Sequence, residues 1–93
     1  MDTFEVSIEL AKKEMGTPKI ILTNKDNGYS QSAFAEIRVN TSKSTTLTAG
    51  ILLNDDMFLK NGVKSTLEEI YPNFEVKVVL NDKEFPTEIN PTD

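Results

Sequence analysis

Apolar and polar residues alternate with a period of two along several stretches of this chain, a pattern typical of strands that bury one face. The alternation is clearest over 29–40, 45–53 and 74–80, and a β-branched apolar run at 19–23 fits a further strand. Segments rich in Asn, Asp, Gly, Ser and Thr separate these stretches, at 24–28, 41–44 and 81–83. We therefore predict four strands, the first three joined as an antiparallel meander.

The alternation also predicts which side of each strand is buried. In 29–40 the inward positions are Tyr29, Ala33, Ala35, Ile37 and Val39. In 45–53 they are Leu47, Ala49, Ile51 and Leu53. Three short apolar runs end in asparagine, at Asn24, Asn54 and Asn81, and we interpret them as strand exits rather than as an internal repeat.

Two periodicities compete over residues 3–15. A strand would bury the alternating residues Phe4, Val6, Ile8 and Leu10. A helix would bury a stripe made of Phe4, Ile8, Ala11 and Met15. Asp2 and Glu5 have capping-box spacing, and Gly16 with Pro18 forms a stop signal. We predict a helix over 3–15, and a strand over 3–10 remains the alternative.

A second helix is predicted between Asn54 and Pro72. Its apolar stripe consists of Leu59, Val63, Leu67 and Ile70. Asp55 and Asp56 suit the positive end of a helix dipole. Gly62 interrupts the pattern, so 55–71 forms either one helix or a short turn followed by a helix over 63–71. Two pairs, Ser65 with Glu68 or Thr66 with Glu69, have capping-box spacing that would support the late start.

These elements predict an α+β domain spanning residues 1–93, with residues 88–93 as a frayed tail. The architecture is an antiparallel sheet of about four strands with two helices packed on one face, in the order α-β-β-β-α-β. Strand 74–80 joins this sheet, with an edge as one option, and an exposed edge is a docking point for another chain. The order of the first five elements resembles the double-stranded-RNA-binding domain. The basic cluster at the start of that domain's second helix is missing, because Asp55 and Asp56 stand there.

The composition argues against catalysis. The 93 residues include no Cys and no His, which excludes thiolate or imidazole nucleophiles, bases and metal ligands. The four glycines do not form a phosphate-binding loop. The only adjacent acidic pairs are Asp55–Asp56 and Glu68–Glu69, and neighbouring residues on a helix point about 100° apart. We therefore predict a protein that is not an enzyme and has no cofactor or bound metal.

The net charge of −5 resides in one half of the chain. Residues 1–50 hold six acids and six bases, whereas residues 51–93 hold nine acids and four bases. A duplex-binding protein normally has the opposite sign, because phosphate neutralisation supplies most of its affinity. No apolar run approaches the ~20 residues that a membrane span needs, and the lack of Cys fits the cytoplasm.

The function predicted from these features is a small protein–protein interaction module, acting as an inhibitor, adaptor or regulator from a bacterium, phage or mobile element. An acidic surface would contact a basic partner, such as a nucleic-acid-handling protein. Its residues are Asp55, Asp56, Glu68, Glu69 and Glu75.

Two alternatives remain. A single-stranded nucleic acid could be bound by an exposed sheet face made of Tyr29, Phe34, Arg38 and Lys43. This alternative requires Phe34 to be exposed, whereas a helix packed on the sheet would bury it. The other alternative is a structural subunit of a larger assembly, including a homo-oligomer, held together by exposed sheet edges.

Overall fold

A computed structural model describes residues 3–87, which form mostly strands. The strands in this range are β1 (Thr3–Leu10), β2 (Lys19–Asn24), β3 (Ser30–Phe34), β4 (Glu36–Asn40), β5 (Thr45–Leu52), β6 (Leu59–Lys60), β7 (Val63–Lys64), β8 (Phe74–Leu80) and β9 (Lys83–Thr87). A 3₁₀ turn covers Asp55–Phe58, and helix α1 (Leu67–Ile70) continues as a second 3₁₀ turn over Tyr71–Asn73. The frayed tail predicted at 88–93 lies outside the described residues.

Two antiparallel sheets pack face to face around one core. The first sheet has the strand order β1-β5-β4, and the second has the order β3-β2-β8-β9. A single residue, Ala35, separates β3 from β4, so the chain passes directly from an edge of the second sheet to an edge of the first. The strands β6 and β7 form a separate small hairpin.

The core consists of the inward-facing residues of both sheets together with side chains from the segment after β5. Phe4 of β1 contacts Phe74 of β8 edge to face, with ring centroids 5.6 Å apart. Met57 and Ile70 are also fully buried, which fixes the 3₁₀ turn and α1 against one end of the sandwich. Burial of these apolar side chains is the main driving force for this fold.

The α+β prediction is wrong, because residues 3–15 do not form a helix. Phe4, Val6, Ile8 and Leu10 are all buried, as the alternative strand over 3–10 required. The helical stripe fails at its far end, where Ala11 and Met15 are exposed. Pairing with β5 supplies a second alternating strand, and this tertiary context overrides the helical pattern.

The helix predicted over 55–71 is also wrong, both as one helix and as a short turn followed by a helix over 63–71. Asn61 and Gly62 both have positive φ, 52° and 76°, and they form the turn of the β6–β7 hairpin. Asn-Gly is a strong signal for this kind of hairpin turn, because both residues tolerate positive φ. Of the predicted helix only α1 is present. It begins after the N-cap Thr66, and the capping box that forms is Thr66 with Glu69 rather than Ser65 with Glu68.

The meander prediction fails because the stretch 29–40 is divided between the two sheets. Strand β3 pairs with β2, whereas β4 pairs with β5. A β-bulge between Ile37 and Val39 then shifts the alternation by one residue, and Val39 faces outward with half of its surface exposed (50%). Strand 74–80 forms as predicted, but it lies inside the second sheet between β2 and β9 rather than at an edge.

The observed order of elements therefore departs from that of the double-stranded-RNA-binding domain, which needs a helix at each end of a single meander. Among residues 3–87, no helix has the length and apolar character needed to cross a membrane.

Candidate functional site

One end of the sandwich, which we call the loop end, is built from the two segments 25–29 and 53–73 that connect the long strands. Strands β2, β5 and β8 all have one terminus here, at Asn24, Leu52 and Phe74. Connections at the ends of a rigid sheet scaffold are the usual place for binding residues. The loop end is therefore the candidate functional site.

Asn24 holds the two segments of the loop end together. Its side chain is fully buried, and its Nδ2 donates to the carbonyl oxygens of Met57 (3.1 Å) and Leu59 (2.9 Å). Its Oδ1 accepts a hydrogen bond from the backbone N–H of Asp26 at 2.9 Å. One side chain thus satisfies three backbone groups, and it fixes the 3₁₀ turn against the end of β2.

Further side-chain bonds reinforce this arrangement. The Asp26 carboxylate accepts from the backbone N–H of Asn61 at 2.7 Å, which ties the hairpin tip to the 25–29 segment. Asn27 donates to the carbonyl oxygen of Asp56 at 2.9 Å. Asn54 donates to the Tyr29 hydroxyl at 2.7 Å. Because these bonds cross between segments, the loop end is ordered before any partner binds.

The three strand-exit asparagines share a role that the sequence analysis missed. Each donates from its side chain to a distant segment, Asn24 and Asn54 at the loop end and Asn81 to the Met15 carbonyl oxygen at the opposite end. Gly16 is required beside Asn81, because a Cβ there would lie 2.7 Å from the Asn81 Oδ1. The sequence feature that could have revealed this role is the recurrence of asparagine after each apolar run. At all three positions the side chain bridges the end of a strand to another segment.

The structure places four of the five predicted acidic residues at the loop end. Asp55 and Asp56 are exposed on the 3₁₀ turn, and Glu68 and Glu69 are exposed on α1. Glu75 instead lies on β8, opposite Thr23, on the outer face of the second sheet. The predicted acidic surface is therefore divided between the loop end and an adjoining sheet face.

Two of these acids already have partners within the chain. Asp55 lies 3.6 Å from the Lys64 ammonium, which also sits 5.9 Å from the Phe58 ring centroid. Glu69 accepts from the Thr66 hydroxyl at 2.8 Å and from the Thr66 backbone N–H at 3.2 Å, completing the capping box. Among residues 3–87, no ion pair within 4 Å involves Asp56 or Glu68.

The capping box gives Glu69 a pH dependence. The Thr66 hydroxyl, and secondly the Thr66 backbone N–H, favour the ionised carboxylate and lower the pKa of Glu69 from its ordinary value of 4.5. Stability from this bond is therefore fully present above pH 4.5 and is lost as the pH falls through the lowered pKa.

Replacing Thr66 with alanine should raise the pKa of Glu69 toward 4.5, because the hydroxyl is the main cause of the lowering. The lost cap should also reduce the free energy of unfolding by about 1 kcal/mol. A carboxyl-detected NMR titration and urea denaturation measure the two effects. Thr66→Ser keeps the hydroxyl and serves as the control, and an unchanged Glu69 pKa in Thr66→Ala would contradict the capping box.

The predicted nucleic-acid residues do not share one face. Phe34 is exposed (73%) and lies beside Lys19 on the outer face of the second sheet. Arg38 lies on the first sheet, where it donates to the Thr48 hydroxyl and faces Glu36 at 3.7 Å. Tyr29 is half-buried at the loop end, and Lys43 lies in the connection at the opposite end. The structure thus exposes Phe34 but separates it from the other three residues.

A shallow depression of about 280 Å³ lies on the outer face of the first sheet. Its lining includes Glu5, Glu36, Arg38, Thr48 and Gly50. The carboxylates of Glu5 and Glu36 line this depression together with the guanidinium of Arg38, so they would repel a phosphate group that approaches it. The depression therefore does not strengthen the nucleic-acid interpretation.

Within residues 3–87, no group of three or more acidic side chains is arranged to hold a metal ion. Comparison with protein-family models, with curated proteins and with solved structures finds no match to this chain.

Proposed function

We propose that this protein is a small, non-enzymatic protein-binding module, an inhibitor, adaptor or regulator, that presents its loop end to a basic partner. The observation that supports this most directly is the hydrogen-bonded loop end organised by buried Asn24. Binding loops that must become ordered on contact lose conformational entropy, and a preorganised loop avoids that cost.

The chemistry of the loop end supports a partner that combines basic and apolar groups. Val63 projects from the β6–β7 hairpin with 65% of its surface exposed. The carboxylates of Asp56 and Glu68 are exposed in the same region. An exposed apolar side chain beside acidic groups suits an interface with an apolar contact and a charged rim. The excess of acids would also accelerate association with a basic protein.

The experiment is affinity capture from a lysate of the source organism with the immobilised full chain, followed by binding measurements on the purified partner. Replacing Asp56 with Asn and Glu68 with Gln should weaken binding about tenfold, since each lost pair contributes up to about 1 kcal/mol. The same substitutions should reduce the salt dependence of binding. Val63→Ser should weaken binding without changing that salt dependence.

A matched control lies at the other end of the sandwich. Asp82→Asn with Glu84→Gln removes the same charge from the β8–β9 hairpin, away from the loop end. This control should bind the partner as tightly as the natural chain does. Equal affinity of the loop-end variants and the natural chain would refute the proposed surface.

Binding of single-stranded nucleic acid is a second candidate function, because Phe34 is exposed. An exposed aromatic ring beside Lys19 has the parts of a base-stacking site, although Glu84 lies in the same cross-strand row. Titration of labelled oligonucleotides at low salt is the test. Binding that Phe34→Ala abolishes would favour this function, and no binding at micromolar protein would exclude it.

We also propose a cytoplasmic location, because a chain without cysteine needs no oxidising compartment to fold. Fractionation of the source cells with an antibody against the chain tests this, and recovery with secreted proteins would contradict it.

A further inference from the structure

The two sheets of the sandwich differ in their number of strands. The contact between Phe4 and Phe74 places β1 across from β8, and β9 is the next strand outward in the second sheet. Among residues 3–87, no strand pairs with the outer edge of β1 to lie opposite β9. Phe85 of β9 pairs with Val78 on the inner side and is only half-buried. One further strand beside β1 would cover Phe85 and give two four-stranded sheets.

The edge of β1 has only one of the features that usually protect an edge strand, the charged side chains of Glu5 and Glu9. All eight residues of β1 pair in continuous register with β5, without a bulge, and β1 contains neither Lys nor Pro. The other edges differ: β4 has the bulge after Ile37, β9 contains Pro86, and β3 ends at the Ala35 corner. The backbone of β1 is therefore the edge best suited to accept another strand.

The side chains of β1 define the chemistry of that strand. Its outward positions include Glu5, Ser7 and Glu9, so the outer side carries two carboxylates and no base. Opposite charges in cross-strand positions stabilise a sheet, and like charges destabilise it. A strand beside β1 should therefore place Lys or Arg on the outer side. Its alternate residues would face inward over Phe85 and should be apolar.

We infer that the outer edge of β1 binds an extended segment of a partner protein in which basic and apolar residues alternate. The segment adds a fourth strand to the first sheet, with backbone hydrogen bonds giving affinity and the alternating side chains giving specificity. This site lies along one side of the sandwich rather than at the loop end. It thus goes beyond the proposed function, and either can fail without the other.

A second copy of this chain fits the edge poorly in the register centred on Ser7. Antiparallel pairing of β1 with another β1 centred on Ser7 would set Glu5 of each copy opposite Glu9 of the other. Both pairs that involve these glutamates would then be acid against acid, which is unfavourable. A segment with basic residues on its outer side places opposite charges beside Glu5 and Glu9, so charge complementarity favours it over a second copy.

The test is an NMR titration of the full chain with a synthetic eight-residue peptide in which lysine and valine alternate. The comparison peptide carries glutamate in place of lysine. We expect the lysine peptide to shift the amide signals of Thr3–Leu10 and Phe85. We expect the glutamate peptide to bind at least about tenfold more weakly.

Charge reversal tests the specificity without removing any backbone contact. Glu5→Lys with Glu9→Lys should reverse the preference, so that the glutamate peptide binds more tightly. Glu75→Lys with Glu84→Lys makes the same charge change on the outer face of the second sheet, away from β1, and should leave the preference as it is. Both pairs of residues are exposed, so these variants should fold.

Three results would overturn the inference. The first is the absence of any shift at Thr3–Leu10 when the lysine peptide is added up to about 1 mM. The second is equal binding of the two peptides, or shifts confined to other strands. The third is a concentration-dependent dimer in sedimentation with protected β1 amides, which would assign the edge to a second copy.

Discussion

Replacing Leu53 with alanine should lower the free energy of unfolding by about 3 kcal/mol, whereas the same change at Leu52 should cost less than about 1 kcal/mol. Leu53 is fully buried in the core, and Leu52 is 54% exposed. The two residues are neighbours with identical side chains, so the comparison isolates burial. A loss of about 3 kcal/mol is a large fraction of the stability of a domain this small.

Urea denaturation of the two variants measures this difference directly. The natural chain and Leu52→Ala should have nearly the same midpoint, and Leu53→Ala should unfold at a clearly lower urea concentration. Equal losses of unfolding free energy in Leu52→Ala and Leu53→Ala would mean that the buried face of this segment has been assigned to the wrong residues.

Replacing Asn24 with alanine should also lower the free energy of unfolding by about 3 kcal/mol, because it leaves buried backbone groups without their partners. The carbonyl oxygens of Met57 and Leu59 and the N–H of Asp26 all lose a hydrogen bond. Amide hydrogen exchange at the loop end should accelerate by more than the loss of global stability explains. The exchange rates of the β5 and β8 amides should rise only as far as that loss of global stability predicts.

Asn27→Ala is the matched control for Asn24. Asn27 also uses its side chain within the loop end, donating to Asp56 and accepting from the backbone N–H of Tyr29, but it is exposed to solvent. Water replaces its partners, so this change should cost less than about 1 kcal/mol. Similar costs at the two asparagines would contradict the central role given to Asn24.

The strands were predictable from the sequence wherever a period of two was the only periodicity. Strands β2, β5 and β8 form at the predicted positions, and the inward residues Leu47, Ile51 and Leu53 are buried as expected. These segments alternate strictly or are short and β-branched, and no helical stripe competes with that pattern.

The helices were predicted wrongly because apolar residues spaced for strands also fell at helical spacing. In 55–71, Leu59 and Val63 lie four apart because a two-residue hairpin turn separates their strands. The Asn61–Gly62 pair was counted as a break in a helix, although it is the stronger signal for a hairpin. In 3–15, only pairing with β5 decides between the two patterns.

The division of 29–40 between the sheets could not be derived from local sequence. Neither the corner at Ala35 nor the bulge near Arg38 involves Gly or Pro. Both depend on how β2 and β5 are placed. Consequently the exposure of Phe34 and Val39, and the separation of Phe34 from Arg38, followed only from the three-dimensional arrangement.

The acidic surface could be predicted in composition but only partly in position. Four of its five residues gather at the loop end because 55–56 and 68–69 flank the β6–β7 hairpin. The spacing of Thr66 and Glu69 indicated their capping box, but the sequence did not show that Lys64 would lie near Asp55. Nor did it show that Asn24, identified only as the end of an apolar run, would organise the whole region.

We infer that residues 3–10 form an edge strand whose outer side is open to a partner. Backbone amide hydrogen exchange of the full chain across Thr3–Leu10 is the experiment that checks this arrangement. An edge strand directs alternate N–H groups toward β5, so protected and fast-exchanging amides should alternate along this segment. Continuous protection from Ser7 onward would indicate the rejected helix, and protection of every amide would show that the edge is already covered; either result would contradict the account.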